Sequence, residues 1–120
     1  MILYGEDPLA FYLRQLDSIS PLIREEESAL VQHVRSNDEL SESAAQRLIE
    51  ANLKLVVSIA ERHLSSGTAM LDLVQEGNGG LLLALEDFSK DSGANFSTYA
   101  SSYIERAILK AIDDSGMRHK

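Results

Sequence analysis

Between residues 48 and 60 the chain places Leu48, Ile49, Leu53, Leu55, Val56, Val57, Ile59 and Ala60. These positions cover too wide an arc for the single apolar stripe of a surface helix. A helix that is apolar over most of its circumference must be covered on several sides, so the rest of the chain has to supply a shell of neighbours. The spacing predicts this core helix from Ser41 or Ser43 to about Leu64, with Ser43 three residues before Gln46 in a capping-box arrangement.

The flanking segments read as that shell. Asp7-Pro8 opens a helix to Leu16, with proline at the first helical position, where its missing N–H costs nothing. Ser20-Pro21 repeats the signal and predicts a second helix with Leu22, Ile23, Ala29, Leu30 and Val34 on one side. Glu25, Glu26 and Glu27 then fall in its first turns, where the macrodipole favours negative charge. After a turn at Ser65-Ser66-Gly67-Thr68, Met70, Leu73, Val74, Leu81, Ala84, Leu85 and Phe88 recur at helical spacing, with Asp72, Gln75, Glu76 and Gly79 on another side. A last helix starts after Asn95 or Ser97 and is expected to end near Asp114, with Gly116 as its stop. Its inward face is Tyr99, Ala100, Tyr103, Ile104, Ala107, Ile108, Ala111 and Ile112. Its outward face is Thr98, Ser102, Glu105, Arg106, Leu109 and Lys110. No strand pattern competes. The expectation is an all-α, compact bundle of about five helices, one domain over residues 1–120.

Composition narrows function mainly by exclusion. There is no cysteine, hence no disulfide framework and no thiolate nucleophile or metal ligand, which fits a reducing cytoplasm. Met1-Ile2-Leu3-Tyr4 leads straight into Gly5-Glu6-Asp7, without a secretory core or a membrane-spanning run, so a soluble cytoplasmic protein is expected. His33, His63 and His119 have no metal-ligand spacing, and neither a nucleophile elbow nor a P-loop is present, so no metal, cofactor or enzymatic activity is expected. The net charge of -8 opposes non-specific nucleic-acid binding, which depends on neutralising phosphates. Only the C-terminal end, where Arg106, Lys110, Arg118 and Lys120 meet Glu105, Asp113 and Asp114, is suited to face a phosphate backbone.

Gly77, Gly79 and Gly80 stand inside a helical pattern, at a cost of about 1 kcal/mol each relative to alanine. Two explanations remain open from sequence: close helix–helix packing, or a docking face for a partner.

Four collinear blocks resemble the bacterial sigma-70 family, in its regions 1.2 and 2. They are Asp7-Pro8-Leu9-Ala10-Phe11-Tyr12-Leu13-Arg14, then Leu48 through Val57, then Leu71-Asp72-Leu73-Val74-Gln75-Glu76-Gly77-Asn78-Gly79-Gly80-Leu81, then Gly93 through Tyr103. The resemblance implies core RNA polymerase and promoter DNA as partners, with an anti-sigma regulator as a further one. It implies that Asp72, Gln75, Glu76, Asn78 and Leu82 contact the coiled coil of the polymerase clamp. It also implies that Phe96, Thr98, Tyr99 and Tyr103 meet the unpaired strand of the minus-ten element, with Tyr99 replacing a flipped adenine in the stack. Arg106, Leu109 and Lys110 would then face the upstream edge of that element, Asn52 and Lys54 its downstream end, and Leu13 and Arg14 the discriminator. For Asn52 a buried role fixing helix register is an equal alternative, and for Phe96 and Tyr99, each taken alone, a place capping the core is the favoured one.

The chain departs from the pattern of primary family members. Ser102-Tyr103 stands where they carry a tryptophan pair, Ala94 replaces an aromatic residue, Asn95 a basic one, Asp91-Ser92 a basic pair, and Ala10 a basic residue; Gly79 replaces a larger aliphatic one. The pattern is that of a group 2 or alternative sigma factor with degenerate promoter-melting positions. The given sequence stops at Lys120, before the segments for the extended minus-ten and minus-thirty-five elements, regions 3 and 4, and either a domain of a longer chain or a short protein is expected. Two functional expectations result: a promoter-recognition domain, or a sigma mimic that binds polymerase or a sigma regulator without opening DNA.

Overall fold

The computed structural model describes residues 7–88 and 95–118. The readings at Ala10 and Asn95 fall within that range, whereas those at Asp91, Ser92 and Ala94 lie outside the described residues. Among the described residues, six α-helices and one 3-10 turn follow in order: α1 Pro8–Leu16, α2 Arg24–Ser36, α3 Ser41–Ala51, α4 Leu53–Glu61, the turn Leu64–Ser66, α5 Met70–Phe88 and α6 Phe96–Arg118. No strand occurs among the described residues. The fold is all-α, and counting α3 and α4 as one interrupted helix gives the five expected from periodicity. Leu48, Val56, Ile59, Leu73, Leu81, Phe96, Ile104 and Ile108 are fully buried and form the centre of the core. α5 and α6 make the most extensive helix pairing, with α4 packed on both.

The predicted core helix is broken at Asn52, and Asn52 itself is the cause. Its backbone N–H turns to the Ile49 carbonyl at 3.0 Å, while its side-chain amide donates to the Leu48 carbonyl at 2.8 Å. The side chain thereby takes over the bond that the backbone would have made one turn back, and Asn52 leaves helical geometry at φ -109 and ψ 6. Asn37, in the left-handed region at φ 50, ends α2, and Gly67 at φ 87 closes the turn before α5.

Further boundaries, caps and faces differ from expectation. Helix α2 begins at Arg24 rather than beside Pro21, because the Glu26 carboxylate accepts the Ile23 N–H at 3.0 Å and fixes the start there. Its buried contact is Val31, and Ile23 and Ala29 are left in solvent. Helix α3 starts at Ser41, one of the two expected positions, after a turn at Asp38 whose carboxylate accepts the Leu40 N–H at 2.9 Å, but Ser43 donates back to the Leu40 carbonyl instead of capping. Gly116 does not stop α6, which continues to Arg118. Glu105, expected to face outward, is half-buried and bonded at 2.8 Å to His63 at the end of α4.

The N-terminus of α6 is fixed twice. Asn95 accepts the Thr98 N–H at 2.9 Å as an N-cap. Glu27 reaches across from α2 and accepts the Phe96 N–H at 3.0 Å, placing a carboxylate where the helix dipole is positive.

Candidate functional site

The glycines of α5 separate into two kinds. A Cβ on Gly77 would lie 2.7 Å from a methyl of Val56, and one on Gly80 would lie 2.6 Å from the backbone oxygen of Tyr103. Both glycines are therefore required by packing, the first against α4 and the second against α6. A Cβ on Gly79 would meet nothing within 4 Å.

Gly80 brings α6 close enough to leave a long open groove between it and α5, of about 730 Å³. Asp72, Gln75 and Glu76 line its α5 wall, Tyr103, Arg106 and Lys110 its α6 wall, and Gly79, Leu83 and Ala107 lie between. The groove thus brings the acids Asp72 and Glu76 of α5 together with the bases Arg106 and Lys110 of α6, with Asp114 also on the α6 side. Residues expected to serve two different partners are therefore neighbours in space. Leu82 is 57% exposed and Leu83 56% exposed, an adjacent apolar pair on an otherwise polar ridge. Asn78 turns the other way, donating to the Tyr12 hydroxyl at 3.4 Å and tying α5 to α1.

A second cluster runs from the core to the surface at the junction of α5 and α6. The Phe88 and Phe96 rings meet edge-on at 5.4 Å, Tyr99 lies 5.0 Å from Phe88, and Tyr103 lies 5.1 Å from Tyr99. Phe96 has no exposed surface and is the floor of this row. Tyr99 and Tyr103 are half-buried at its outer end. The Tyr103 hydroxyl donates to Asp87 at 2.6 Å, the Tyr99 and Tyr103 hydroxyls are 2.9 Å apart, and the Arg106 guanidinium sits 4.7 Å from the centre of the Tyr103 ring. The Asp87 carboxylate, by accepting its proton, holds the Tyr103 hydroxyl protonated well above its ordinary range.

The remaining sequence candidates divide by exposure. Thr98, Arg106, Leu109 and Lys110 lie in solvent on α6. Lys54 is exposed on α4, 3.5 Å from Asp17. Leu13 and Arg14 are exposed on α1, where the Arg14 guanidinium stands 5.7 Å from the Phe11 ring. Asn52 is only 5% exposed and its amide is engaged by the Leu48 carbonyl. Burial favours the core alternative for both Asn52 and Phe96 and takes them out of the solvent-facing set. Asp87, Leu83 and Glu27 were not singled out as site residues. Leu83 directly follows an expected anchor, a readable signal, whereas Asp87 and Glu27 act across the fold on partners 16 and 69 residues away. Among the described residues, no cluster of three or more potential metal ligands occurs and no helix is long and apolar enough to cross a membrane.

Comparison with known protein families matches residues 48–117, from the interrupted core helix through both walls of the groove, to Sigma-70 region 2. The chain belongs to the sigma-70 family. It is 46% identical over 109 residues to the RNA polymerase sigma factor SigA of Clostridium acetobutylicum, which covers 91% of this chain and 28% of that protein. It is 45% identical over 108 residues to SigA of Listeria monocytogenes and 44% identical over 108 residues to SigA of a Bacillus species, each covering 90% of this chain and 28% of the relative. The sigma-70 chain thus spans little more than a quarter of the length of these curated relatives.

Proposed function

We propose that this sigma-70 chain acts in transcription initiation as a non-catalytic promoter-recognition domain, docked on core RNA polymerase through α5 and holding the unpaired minus-ten strand on α6. The observation that carries the reading is the groove between α5 and α6, where Asp72, Gln75 and Glu76 face Tyr103, Arg106 and Lys110. Acids and an amide beside the exposed Leu82 suit a basic, polar partner surface with an apolar anchor point. The outer faces of Tyr99 and Tyr103 suit base stacking, worth about 1 to 3 kcal/mol per base. Arg106 suits a phosphate or a guanine edge.

A second reading, docking on polymerase or an anti-sigma regulator without opening DNA, is favoured by the burial of Asn52 and Phe96 and the net charge of -8. One experiment separates the two. Core polymerase mixed with this chain should bind a non-template minus-ten oligonucleotide sequence-specifically; polymerase binding without oligonucleotide binding would establish the second reading. The docking face is tested separately. Gln75→Ala and Glu76→Lys should weaken polymerase binding while leaving the far-ultraviolet circular dichroism unchanged, and full binding by both variants would reject it.

A further inference from the structure

We infer that Asp87 is a positioning residue, whose carboxylate, acting through the Tyr103 hydroxyl, fixes the Tyr99 ring as a stacking surface for an unpaired base. The inference rests on the stacking role proposed for Tyr99 above.

Proton bookkeeping gives the direction of the chain. Tyr103 has one hydroxyl proton, and it is donated to Asp87 at 2.6 Å. An ionised carboxylate only accepts, so that proton has no alternative direction. The contact of 2.9 Å between the two tyrosine hydroxyls must then be donated by Tyr99. The result is a one-way relay, Tyr99 to Tyr103 to Asp87, running from α6 to the last turn of α5. Tyr103 can occupy its middle because a phenol both donates and accepts; an indole at 103, a donor only, could not.

The relay fixes ring geometry as well as protons. The Tyr99 ring centre lies 5.0 Å from that of Phe88 and 5.1 Å from that of Tyr103, so both neighbours restrict its movement. Arg106 lies over the Tyr103 ring at 4.7 Å while Asp87 holds that ring's hydroxyl end. With Asp87 removed, Tyr103 loses its acceptor, Tyr99 loses a partner of defined orientation, and both half-buried rings gain rotational freedom. A base that stacks on Tyr99 must then order the ring on binding.

The sign of the effect separates positioning from plain electrostatics. Removing a negative charge near an anionic strand should tighten binding, whereas losing a positioning bond should weaken it. In the complex with core polymerase, Asp87→Ala is expected to weaken binding of a fluorescent non-template minus-ten oligonucleotide about three- to tenfold, the size of one lost hydrogen bond. Tyr103→Phe should do the same, and the double variant should be no weaker than either, because both cut one chain. Asp87→Asn, which keeps an acceptor, should bind close to wild type. Without DNA, an ultraviolet titration of the free chain should show one tyrosine fewer ionised at about pH 11 in wild type than in Asp87→Ala, given an ordinary tyrosine value near 10.

Unchanged or tighter oligonucleotide binding by Asp87→Ala, beside weakened binding by Tyr99→Ala, overturns the positioning role alone. Additive losses in the double variant overturn it too. Unchanged binding by Tyr99→Ala overturns the stacking reading and the positioning role with it.

Discussion

A single methyl group has opposite consequences at neighbouring positions of α5. At Gly79 it enters open space, so Gly79→Ala should recover the helix-propensity cost of about 1 kcal/mol and raise the melting temperature by roughly 3 to 5 °C. At Gly77 it would press on the Val56 side chain and at Gly80 on the backbone of Tyr103, which cannot rotate away. Gly77→Ala and Gly80→Ala should therefore destabilise by about 1 to 3 kcal/mol, Gly80→Ala the more severely. Thermal melts of the three variants check the ordering, and a destabilised Gly79→Ala would contradict it. Tyr99 calls for a paired measurement. Tyr99→Ala should cost about 1 to 3 kcal/mol of single-strand affinity in the polymerase complex, whereas Tyr99→Phe keeps the ring and should cost less. A lower melting temperature with unchanged oligonucleotide affinity in Tyr99→Ala would make the residue part of the core only.

Helix ends in this fold are secured by side chains both adjacent and distant in the chain, and that sets their sensitivity. Helix α6 depends on Glu27 of α2 as well as on its own Asn95. Glu27→Ala should lower stability by about 1 kcal/mol, as loss of a cap does. Amide hydrogen exchange should then rise first at the start of α6, around Phe96 to Tyr99; acceleration confined to α2 would show that the contact does not support α6. The turn into α3 depends on Asp38, whose carboxyl accepts from His33 at 2.8 Å and from the Leu40 N–H. The His33 bond first, and the Leu40 bond with it, hold the Asp38 carboxyl below its ordinary value of 3.8. A depressed folded-state value means that the stabilisation is fully present above about pH 4 and is lost as the pH falls further. The melting temperature of wild type should accordingly fall more steeply below about pH 4 than that of Asp38→Asn. Parallel acid profiles would remove the carboxylate from the account.

At the scale of the whole molecule, electrostatics and shape assign different work to different faces. With a net charge of -8, and with the bases of α6 facing the acids of α5 across the groove, the isolated chain should bind duplex DNA negligibly at physiological salt. Gel-shift titration with duplex promoter DNA tests this; tight binding by the free chain would show that the α6 face acts without help. Promoter contact on this account requires polymerase to hold the chain against DNA and to supply the basic surface it lacks.

Periodicity and punctuation carried the element list a long way. The wide apolar arc from Leu48 to Ala60 demanded a buried helix, Asp7-Pro8 and Gly67 marked true boundaries, and the bounds of α5 matched their residue spacing. These are local signals, set by side-chain direction and backbone freedom within one or two turns. The failures share a physical cause, since each depended on a competition that the linear pattern does not express. Asn52 took the Leu48 carbonyl from the backbone and interrupted the core helix, and Glu26 moved the start of α2. The outward-facing Asp72, Gln75, Glu76 and Arg106 were legible because exposed polar residues on a helix keep their periodicity. That the two sets line one groove, that Phe96 is the floor of the aromatic row, and that Asp87 meets Tyr103 were decided only by tertiary structure. They follow from how closely Gly77 and Gly80 let α5 approach its neighbours, a distance set by packing across the fold and not by the order of residues along it.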